Sequence, residues 1–347
     1  MVRLRQIGDV RGALESSGAN PLHIAQFLRQ WAYARPQREG RRGAEGFFPA
    51  RVLSALPQLE ANLECLAQLQ SEHPGEDGSV RLLVELEDGG TVESVLLSRK
   101  GLCVSTQVGC AVGCQFCMTG QSGLLRQLGS AEIVAQVVLA RRLRPVNKVV
   151  FMGMGEPSHN LENVLDAIQF LGTTGGIGHK NLVFSTVGDH RVFKRLPEGA
   201  VKPALALSLH TTDAALRARL LPRAPVFEPA ELIELADTYA RQTGYPLQVQ
   251  WTLLEGINDT AEEAERIAEL LKGRYAMLNL IPFNAVEGTG FRRPTAEHAA
   301  AMAREIQSRG VLTRLRQSAG QDVEGGCGQL RARHLAARPG HIPLQTV

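Results

Sequence analysis

Three cysteines crowd one short stretch, Val108-Gly-Cys-Ala-Val-Gly-Cys-Gln-Phe-Cys-Met-Thr119. Cys110, Cys114 and Cys117 stand at C-x3-C-x2-C, with a glycine before each of the first two and Phe116 before the last. A loop this short can turn three sulfurs onto one face of a metal or cluster, and it is too tight to pair them comfortably as disulfides. Zinc would want a fourth ligand at a matching spacing, and the nearest candidates are Cys103 and the distant His159. A ferredoxin would supply a fourth cysteine nearby, and none follows. With three thiolates an iron-sulfur cube keeps one iron open, and an open position separates a catalytic site from a closed structural one.

Further residues carry chemistry outside that loop. Gly153-Met-Gly-Glu-Pro157 follows an apolar run, and its glycines let backbone and ligand approach closely. Glu156 within it can accept hydrogen bonds from an ammonium group. Cys327 lies in Gly325-Gly-Cys-Gly, a flexible loop near the C-terminus, and Cys103 stands on the run that leads to the cluster loop. Read as bare residues, each is more often a quiet thiol. Cys65, among apolar neighbours, reads as a buried inert thiol, and Glu93 reads as an exposed strand residue.

The elements that must position these groups come in two styles. Residues 1–90 look like a small module. Leu22, Ile24, Phe27, Leu28 and Trp31 recur at helical spacing, and a second helix is expected over 53–69. A hairpin over 79–97 turns at Asp88-Gly-Gly. From Leu102 onward the pattern is strand, loop, helix, repeated. Strands are expected at Leu102–Gln107, Lys148–Met152, Leu182–Thr186, Ala204–Leu209, Leu247–Leu254, Met277–Pro282 and Leu312–Arg316. Most are too apolar to face water on either side, as covered parallel strands are. Ser130 is expected to cap one intervening helix, Thr260 with Glu263 to form a capping box, and Thr295 to open a helix ending at Gly310. Six or seven such units imply a complete or partial barrel, with functional residues on loops at the C-terminal ends of strands. The cysteine loop and Gly153–Pro157 both fall there.

The totals agree with a globular enzyme. The 347 residues suffice for one large domain and a small one, and 44% hydrophobic content fills a core. No run approaches the ~20 apolar residues of a membrane span. The start, Met1-Val-Arg-Leu-Arg-Gln, has no apolar core behind it and reads as no export signal. Six cysteines, three of them at ligand spacing, point to a reducing compartment, the cytoplasm by default. Net charge is only +3, but arginines gather at Arg35, Arg38, Arg41 and Arg42 and again at Arg304, Arg309, Arg314, Arg316, Arg331, Arg333 and Arg338. They fit a polyanion partner or a solvated helix face equally well.

The C-x3-C-x2-C spacing, the aromatic before the last cysteine and the Gly-Met-Gly-Glu-Pro run resemble the radical S-adenosylmethionine (SAM) enzymes. There the free iron is chelated by SAM, and reduction of the cluster releases a 5′-deoxyadenosyl radical. The likeness becomes specific over residues 90–331. Leu102-Cys-Val-Ser-Thr-Gln-Val-Gly-Cys-Ala, Gly153-Met-Gly-Glu-Pro, Ser185-Thr-Val-Gly, Ser208-Leu-His-Thr-Thr-Asp, Leu280-Ile-Pro-Phe-Asn284 and Cys327-Gly-Gln-Leu330 occur in the order of the RlmN/Cfr family, radical SAM methyltransferases that act on an adenine ring carbon of RNA.

That resemblance implies an α/β fold, a partial (β/α)6-type radical SAM barrel over 91–335, a small N-terminal accessory α+β domain over 1–90 that contacts RNA, and a tail over 336–347. It implies a [4Fe-4S] cluster on Cys110, Cys114 and Cys117, and SAM contacts from Gly155, Glu156, Ser185, Ser208, Leu209, His210 and Asn284. His210 is better suited to hydrogen bonding or packing than to metal ligation. Cys327 would carry a methyl group taken from one SAM, while a second SAM supplies the radical. Cys103 would resolve the protein–RNA adduct through a disulfide with Cys327, and Glu93 would accept the proton leaving the ring. The implied partners are rRNA or tRNA and an external electron donor such as flavodoxin or ferredoxin, for a monomeric enzyme with no membrane contact. The chain departs from the family around Gly188-Asp-His-Arg-Val-Phe-Lys-Arg-Leu-Pro, polar where the family is apolar, and at Ser158-His159. A radical SAM enzyme that uses only the 5′-deoxyadenosyl radical, and a non-catalytic RNA-binding paralogue, are the alternative readings.

Overall fold

The computed structural model describes residues 3–37, 44–121, 123–286 and 288–330. Arg38, Arg41, Arg42, Arg331, Arg333, Arg338 and the 336–347 tail lie outside the described residues.

Three helices open the chain: α1 (Ile7–Ser16), α2 (Pro21–Ala32) and α3 (Ala50–Glu64). Helix α2 starts where Asn20 Oδ1 accepts from the His23 amide at 3.0 Å, with Pro21 preset at the first position. Helix α3 is shorter than its apolar spacing implied. The chain turns at Cys65, half-buried at the helix end, and forms β1 (Gln68–Pro74). That strand has no β-branched residue, and pairing with β2 (Val80–Glu85) defines it rather than propensity. The turn between β2 and β3 (Thr91–Leu97) forms as expected, with Asp88 Oδ1 accepting from the Gly90 amide at 3.1 Å.

The remaining elements alternate. They run β4 (Gly101–Cys103), β5 (Gln107–Gly109), α4 (Met118–Gln121), β6 (Leu124–Gln127), α5 (Ser130–Leu143), β7 (Lys148–Phe151), α6 (Leu161–Thr173), β8 (Leu182–Thr186), α7 (His190–Arg195), β9 (Ala204–Ser208), α8 (Ala214–Leu220), α9 (Pro229–Thr243), β10 (Leu247–Leu253), α10 (Ala261–Leu271), β11 (Ala276–Pro282), α11 (Ala296–Ser308) and β12 (Thr313–Leu315). One sheet has the order β1-β2-β3-β4-β7-β8-β9-β10-β11-β12, and β5 pairs with β6 separately. Strands β4 and β7 to β12 are mutually parallel, which gives the partial α/β barrel; β1 to β3 extend the sheet antiparallel.

Strand alternation divides this sheet into two faces. Val149, Phe151, Leu182, Phe184, Leu205, Leu207, Val249, Trp251, Leu278 and Leu280 belong to one large core with helices α2, α5 and α9. Val183, Ala204 and Ala206 form another cluster with Val150 and Met152, on the inner face. The inner face is the one that matters for chemistry.

The sheet crosses residue 90 without a break, and Arg141 ties the first helices to it. Its guanidinium donates to Ala32 O at 2.6 Å and to Gly175 O at 2.8 Å. Two helix starts differ from expectation. Gly129, not Ser130, is the N-cap of α5, because the Ser130 hydroxyl is taken by the Ile7 amide and Gln6. Thr260 caps α10, but the Glu263 carboxylate reaches across to the Thr212 amide and hydroxyl instead of closing a box.

The expected strand over 102–107 stops at Cys103. Beyond it the Ser105 amide donates to Gln136 Oε1 at 2.9 Å and the Ser105 hydroxyl to Glu93 O at 2.6 Å, while Gln136 Nε2 donates back to Ser105 O at 2.9 Å. A side chain of α5 thus replaces a strand neighbour and turns the chain toward the cysteine loop. Gln136→Leu keeps the volume but leaves these buried groups unmade. We expect a loss of about 2–4 kcal/mol in urea denaturation, from about 1–3 kcal/mol per unsatisfied group.

Candidate functional site

The cysteine loop leaves the small β5–β6 ladder, where the Cys110 amide donates to Gly123 O at 2.9 Å. Gly109 (φ +81°) permits this crossing, since a Cβ there would stand 1.9 Å from Gly123 O. Cys110 is buried and Cys114 and Cys117 are half-buried, in an apolar pocket with Val112, Phe116, Val187, Leu220, Leu221 and Phe283. Burial pushes the Cys110 thiol up to about 12 and Cys114 well above the usual thiol range, and the nearby Cys117 sulfur and Glu156 carboxylate push in the same direction. Cys117 is also raised, mainly by burial.

The three sulfurs therefore sense one another. Yet among the described residues no three His, Cys, Asp or Glu side chains close around a single ion. Three thiols on one loop could take an iron-sulfur cluster at separate corners. The donor set, three thiols and no fourth protein ligand, is also what such a cluster takes while keeping one corner free.

Glu156 stands beside them, 5% exposed. Gly155 (φ +103°) packs its backbone on Gln107, where a Cβ would fall 2.7 Å from Gln107 Cβ. Gln107 Oε1 accepts from the Glu156 amide at 2.7 Å. The Glu156 carboxylate accepts from the Ser158 and Val187 amides, each at 3.1 Å, and burial raises its pKa.

The C-terminal loop closes over the cysteines. The Met118 amide donates to Gly328 O at 2.8 Å and Thr119 Oγ1 to Leu330 O at 2.5 Å. Asn284 Nδ2 donates to Cys327 O and to Ser318 Oγ, both at 2.9 Å, while its buried Oδ1 has no partner. Cys327 is exposed, and its sulfur acts electrostatically on both Cys117 and Cys103. Cys103 is half-buried at the end of β4, and burial first, then Cys327, pushes its thiol up to about 12.

Glu93 corrects the bare-residue reading. It is fully buried on β3, and Arg81 Nη1 of β2 donates to its Oε1 at 2.6 Å. The register pairs Arg81 with Val95, Leu83 with Glu93, and Val95 with Cys103, so Glu93 and Cys103 share the inner face. Arg81 also reaches the C-terminal loop, its Cβ 3.5 Å from where a Cβ on Gly325 would be.

The other anticipated residues fall at strand ends. Ser185 and Ser208 lie on the inner face, at β8 and β9. Leu209 differs from them: its side chain is in the large core and its amide donates to Gln250 O at 3.1 Å, which leaves only its carbonyl for a ligand. His210 is held in the left-handed region (φ +67°), with Asn258 Nδ2 donating to its carbonyl at 2.7 Å. Its Nδ1 accepts from the Thr252 amide at 3.0 Å, and its ring meets Phe116 edge-on at 4.9 Å. Burial drives its pKa to about 3, so it packs as a neutral ring.

Sequence reading missed Arg217. It is 3% exposed in α8, bonds Val187 O and, at 3.5 Å, Ser208 O, and leaves its Nε without a partner. Burial lowers it to about 10, while Cys114 and Glu156 act to raise it. Among the described residues no carboxylate pairs with it, so a buried cation faces the site. Its spacing from Leu220 and Leu221 on the buried helix face was the available signal. The divergent segment 188–197 forms α7, capped by Asp189, and Arg191 ties it to Ser158 O at 3.1 Å beside an open depression lined by His159, Lys194 and Arg195.

Comparison with known proteins places this geometry. The model of the radical SAM superfamily matches residues 104–271. A probable RNA methyltransferase of Aromatoleum aromaticum is 68% identical over 332 residues, covering 96% of this chain and 94% of that protein. One of Thiobacillus denitrificans is 67% identical, covering 96% and 92%. The crystal structure of a radical SAM methyltransferase from Sphaerobacter thermophilus matches with a TM-score of 0.81 at 32% identity, over 96% of this chain and 99% of that one. No helix of the described residues is long and apolar enough to cross a membrane.

His210 yields a pH prediction. It stays neutral when folded but protonates near 6.5 when unfolded, so its contribution to stability is intact above pH 6.5 and is lost as pH falls toward 3. Between pH 7 and pH 5 this amounts to about 2 kcal/mol at about 1.36 kcal/mol per unit. Denaturation curves at both pH values should show His210→Gln losing correspondingly less stability on acidification than the parent chain.

Proposed function

The chain belongs to the radical SAM superfamily, among relatives named probable RNA methyltransferases, and from that premise we propose that it methylates a ring carbon, C2 or C8, of an adenosine in rRNA or tRNA. The methyl group travels on Cys327, and two molecules of SAM are consumed. The observation that carries this reading is that Cys327, from the far end of the sequence, meets the cluster loop and Cys103, with Glu93 on the strand beside Cys103.

Membership implies a [4Fe-4S] cluster and SAM. Cys110, Cys114 and Cys117 would hold the cluster with one iron left for SAM, and when bound it supplies the electron that cuts SAM to a 5′-deoxyadenosyl radical. Glu156 is suited to the SAM ammonium, Arg217 and the free Asn284 Oδ1 to its other polar groups, and Ser185 and Ser208 to the ribose. The burial of Glu156, Arg217 and Asn284 keeps their polar groups out of bulk water, where they hold a ligand most firmly.

The remaining residues divide the chemistry of the methyl group. The amidine carbons of adenine are electron-poor and do not attack a sulfonium methyl, whereas a thiolate does. Cys327, exposed on a glycine-flanked loop, is the accessible thiol for that displacement. A hydrogen atom passes from the Cys327 S-methyl group to the 5′-deoxyadenosyl radical, giving 5′-deoxyadenosine. The methylene radical left on sulfur adds to the ring carbon and joins protein to base, and the adduct gives up one electron, for which the cluster would be the acceptor. Glu93, paired with Arg81, accepts the proton that leaves the ring carbon. The Cys103 sulfur then attacks Cys327 sulfur; the carbon–sulfur bond breaks toward the base, which is protonated to a methyl group, and the two cysteines end as a disulfide. An external electron donor such as flavodoxin or ferredoxin would reduce the cluster, and a thiol reductant would reopen the disulfide by exchange.

The roles are separable by mass spectrometry of RNA nucleosides after reaction of anaerobically reconstituted protein. Cys327→Ala is expected to abolish methyladenosine while 5′-deoxyadenosine is no longer coupled to product. Cys103→Ser is expected to accumulate a covalent protein–RNA adduct, seen as a slow band on denaturing gels. Retention of methyladenosine by Cys327→Ala would falsify the methyl-cysteine route and favour an enzyme using the 5′-deoxyadenosyl radical directly.

A further inference from the structure

The inner face of the barrel continues beyond the residues discussed so far. Residues in register on parallel strands share a face, so Ser208, Gln250, Asn279 and Arg314 form one row across β9, β10, β11 and β12. The neighbouring row holds Ala206, Gln248 and Met277. The middle of this wall, Val150, Val183, Ala204 and Ala206, is apolar; the strands toward β12 carry amides and a guanidinium.

Two observations mark the polar half as built for a ligand. Asn279 is 1% exposed, yet its Nδ2 meets no acceptor. A buried amide donor left unmade is unfavourable, and here it lies on the inner face beside Gln250, one strand beyond Ser208. The second observation is a set of cations without anions. Lys148 opens β7 with the same alternation as Val150 and Met152, on the inner face. Arg316 follows β12, its amide donating to Leu280 O at 2.8 Å. Strands β7 and β12 are five places apart in the sheet, but Arg316 acts on Lys148 to lower its pKa, after burial as the main cause. The curl of the sheet has brought two like charges together. Among the described residues no carboxylate pairs with Lys148, Arg314 or Arg316, whereas Arg309 nearby in sequence is spent on Glu305 and Glu265.

We propose that this wall is the receptor for the target nucleotide, with Asn279 donating to the edge of the base and Lys148 and Arg316 clasping the adjoining phosphodiester. The proposal rests on the RNA-methylation reading and adds to it where the nucleotide sits. A base must leave its stack to reach a buried site, and an asparagine amide meets the ring nitrogens of adenine naturally. The apolar half of the wall, Val183, Ala204 and Ala206, is flat enough to lie against the ring. Phosphates flanking the extruded base then lie toward β12, the edge strand of the sheet, where Arg316 and Lys148 stand.

The test uses the reconstituted holoenzyme with unfractionated rRNA and tRNA from cells lacking the gene, reading methyl transfer and 5′-deoxyadenosine separately. Lys148→Ala and Arg316→Ala are each expected to raise KM for RNA by about fivefold to tenfold and to lower the slope of log(kcat/KM) against log[salt] by about 0.7–0.9, the value for one phosphate contact. Asn279→Asp, which swaps a donor for an acceptor at constant size, is expected to lower kcat/KM for RNA by about tenfold to a hundredfold without changing KM for SAM. Iron content and circular dichroism establish that each variant folds and loads. Unchanged KM and salt slope in both cation variants, or a shift in KM for SAM in place of KM for RNA, would overturn the proposal. If the unaltered enzyme transfers methyl to no RNA, the RNA-methylation reading itself fails, a distinct outcome that removes the receptor with it.

Discussion

The hydrogen bond from the Met118 amide to Gly328 O, 2.8 Å long, joins the cluster loop to the last described turn of the chain. Thr119 Oγ1 to Leu330 O repeats the connection, and Gly328 permits it: a Cβ there would stand 3.0 Å from Phe116 O. Without this clasp Cys327 would hang on a glycine-rich loop with no defined neighbour. With it, a thiol more than two hundred residues downstream acts on Cys117 and Cys103. The same loop is fixed from other sides by Asn284 under Cys327 O and by the Asp77 and Asp322 carboxylates, which bond the Gly320 and Glu76 amides. The first hairpin and the last loop therefore meet, and the open edge of the barrel is bridged by side chains rather than by strand pairing.

Around that clasp the electrostatics are unresolved within the protein itself. Three thiols and Cys103 are pushed toward the neutral form by burial, Glu156 is raised, and Arg217 is a buried cation that no carboxylate pairs with among the described residues. Burying charges singly is costly, so each of these groups is stable only with a counterpart of opposite charge or as a neutral species. An iron-sulfur cluster and a zwitterionic cofactor supply both signs. His210 differs: its low pKa and its hydrogen bond from Thr252 keep it neutral, which suits a packing partner for Phe116 beside the cysteines.

Much of this was legible in the sequence. Apolar runs such as Leu182–Thr186 became parallel strands because covered strands must be apolar on both faces. The cysteine spacing and Gly153–Pro157 fell at strand ends because a barrel of this kind leaves its loops there. What failed depended on contacts between distant segments. The strand expected over 102–107 ends at Cys103 because Gln136, thirty residues later, takes the Ser105 backbone. Strand β1 exists because β2 is beside it, and Glu93 is buried because Arg81 on the neighbouring strand pairs with it. Arg217 shares the buried face of α8 with Leu220, but nothing local says that this face meets the cysteines.

The inner and outer faces of the sheet explain why catalytic and structural demands do not collide. Along β8, Leu182 and Phe184 point to the helices while Val183 and Ser185 point inward; along β9, Leu205 and Leu207 alternate with Ala204, Ala206 and Ser208 in the same way. The outer set is large and fully buried, so stability rests there. The inner set is free to be small, hydroxylic or amidic, which an apolar core would not tolerate without ligands. One substitution of period two thus separates the two roles, and a one-residue register slip in any of these strands would exchange them. The register of β9 against β10, Ala206 to Gln248 and Ser208 to Gln250, is consequently as much a part of the site as the cysteines.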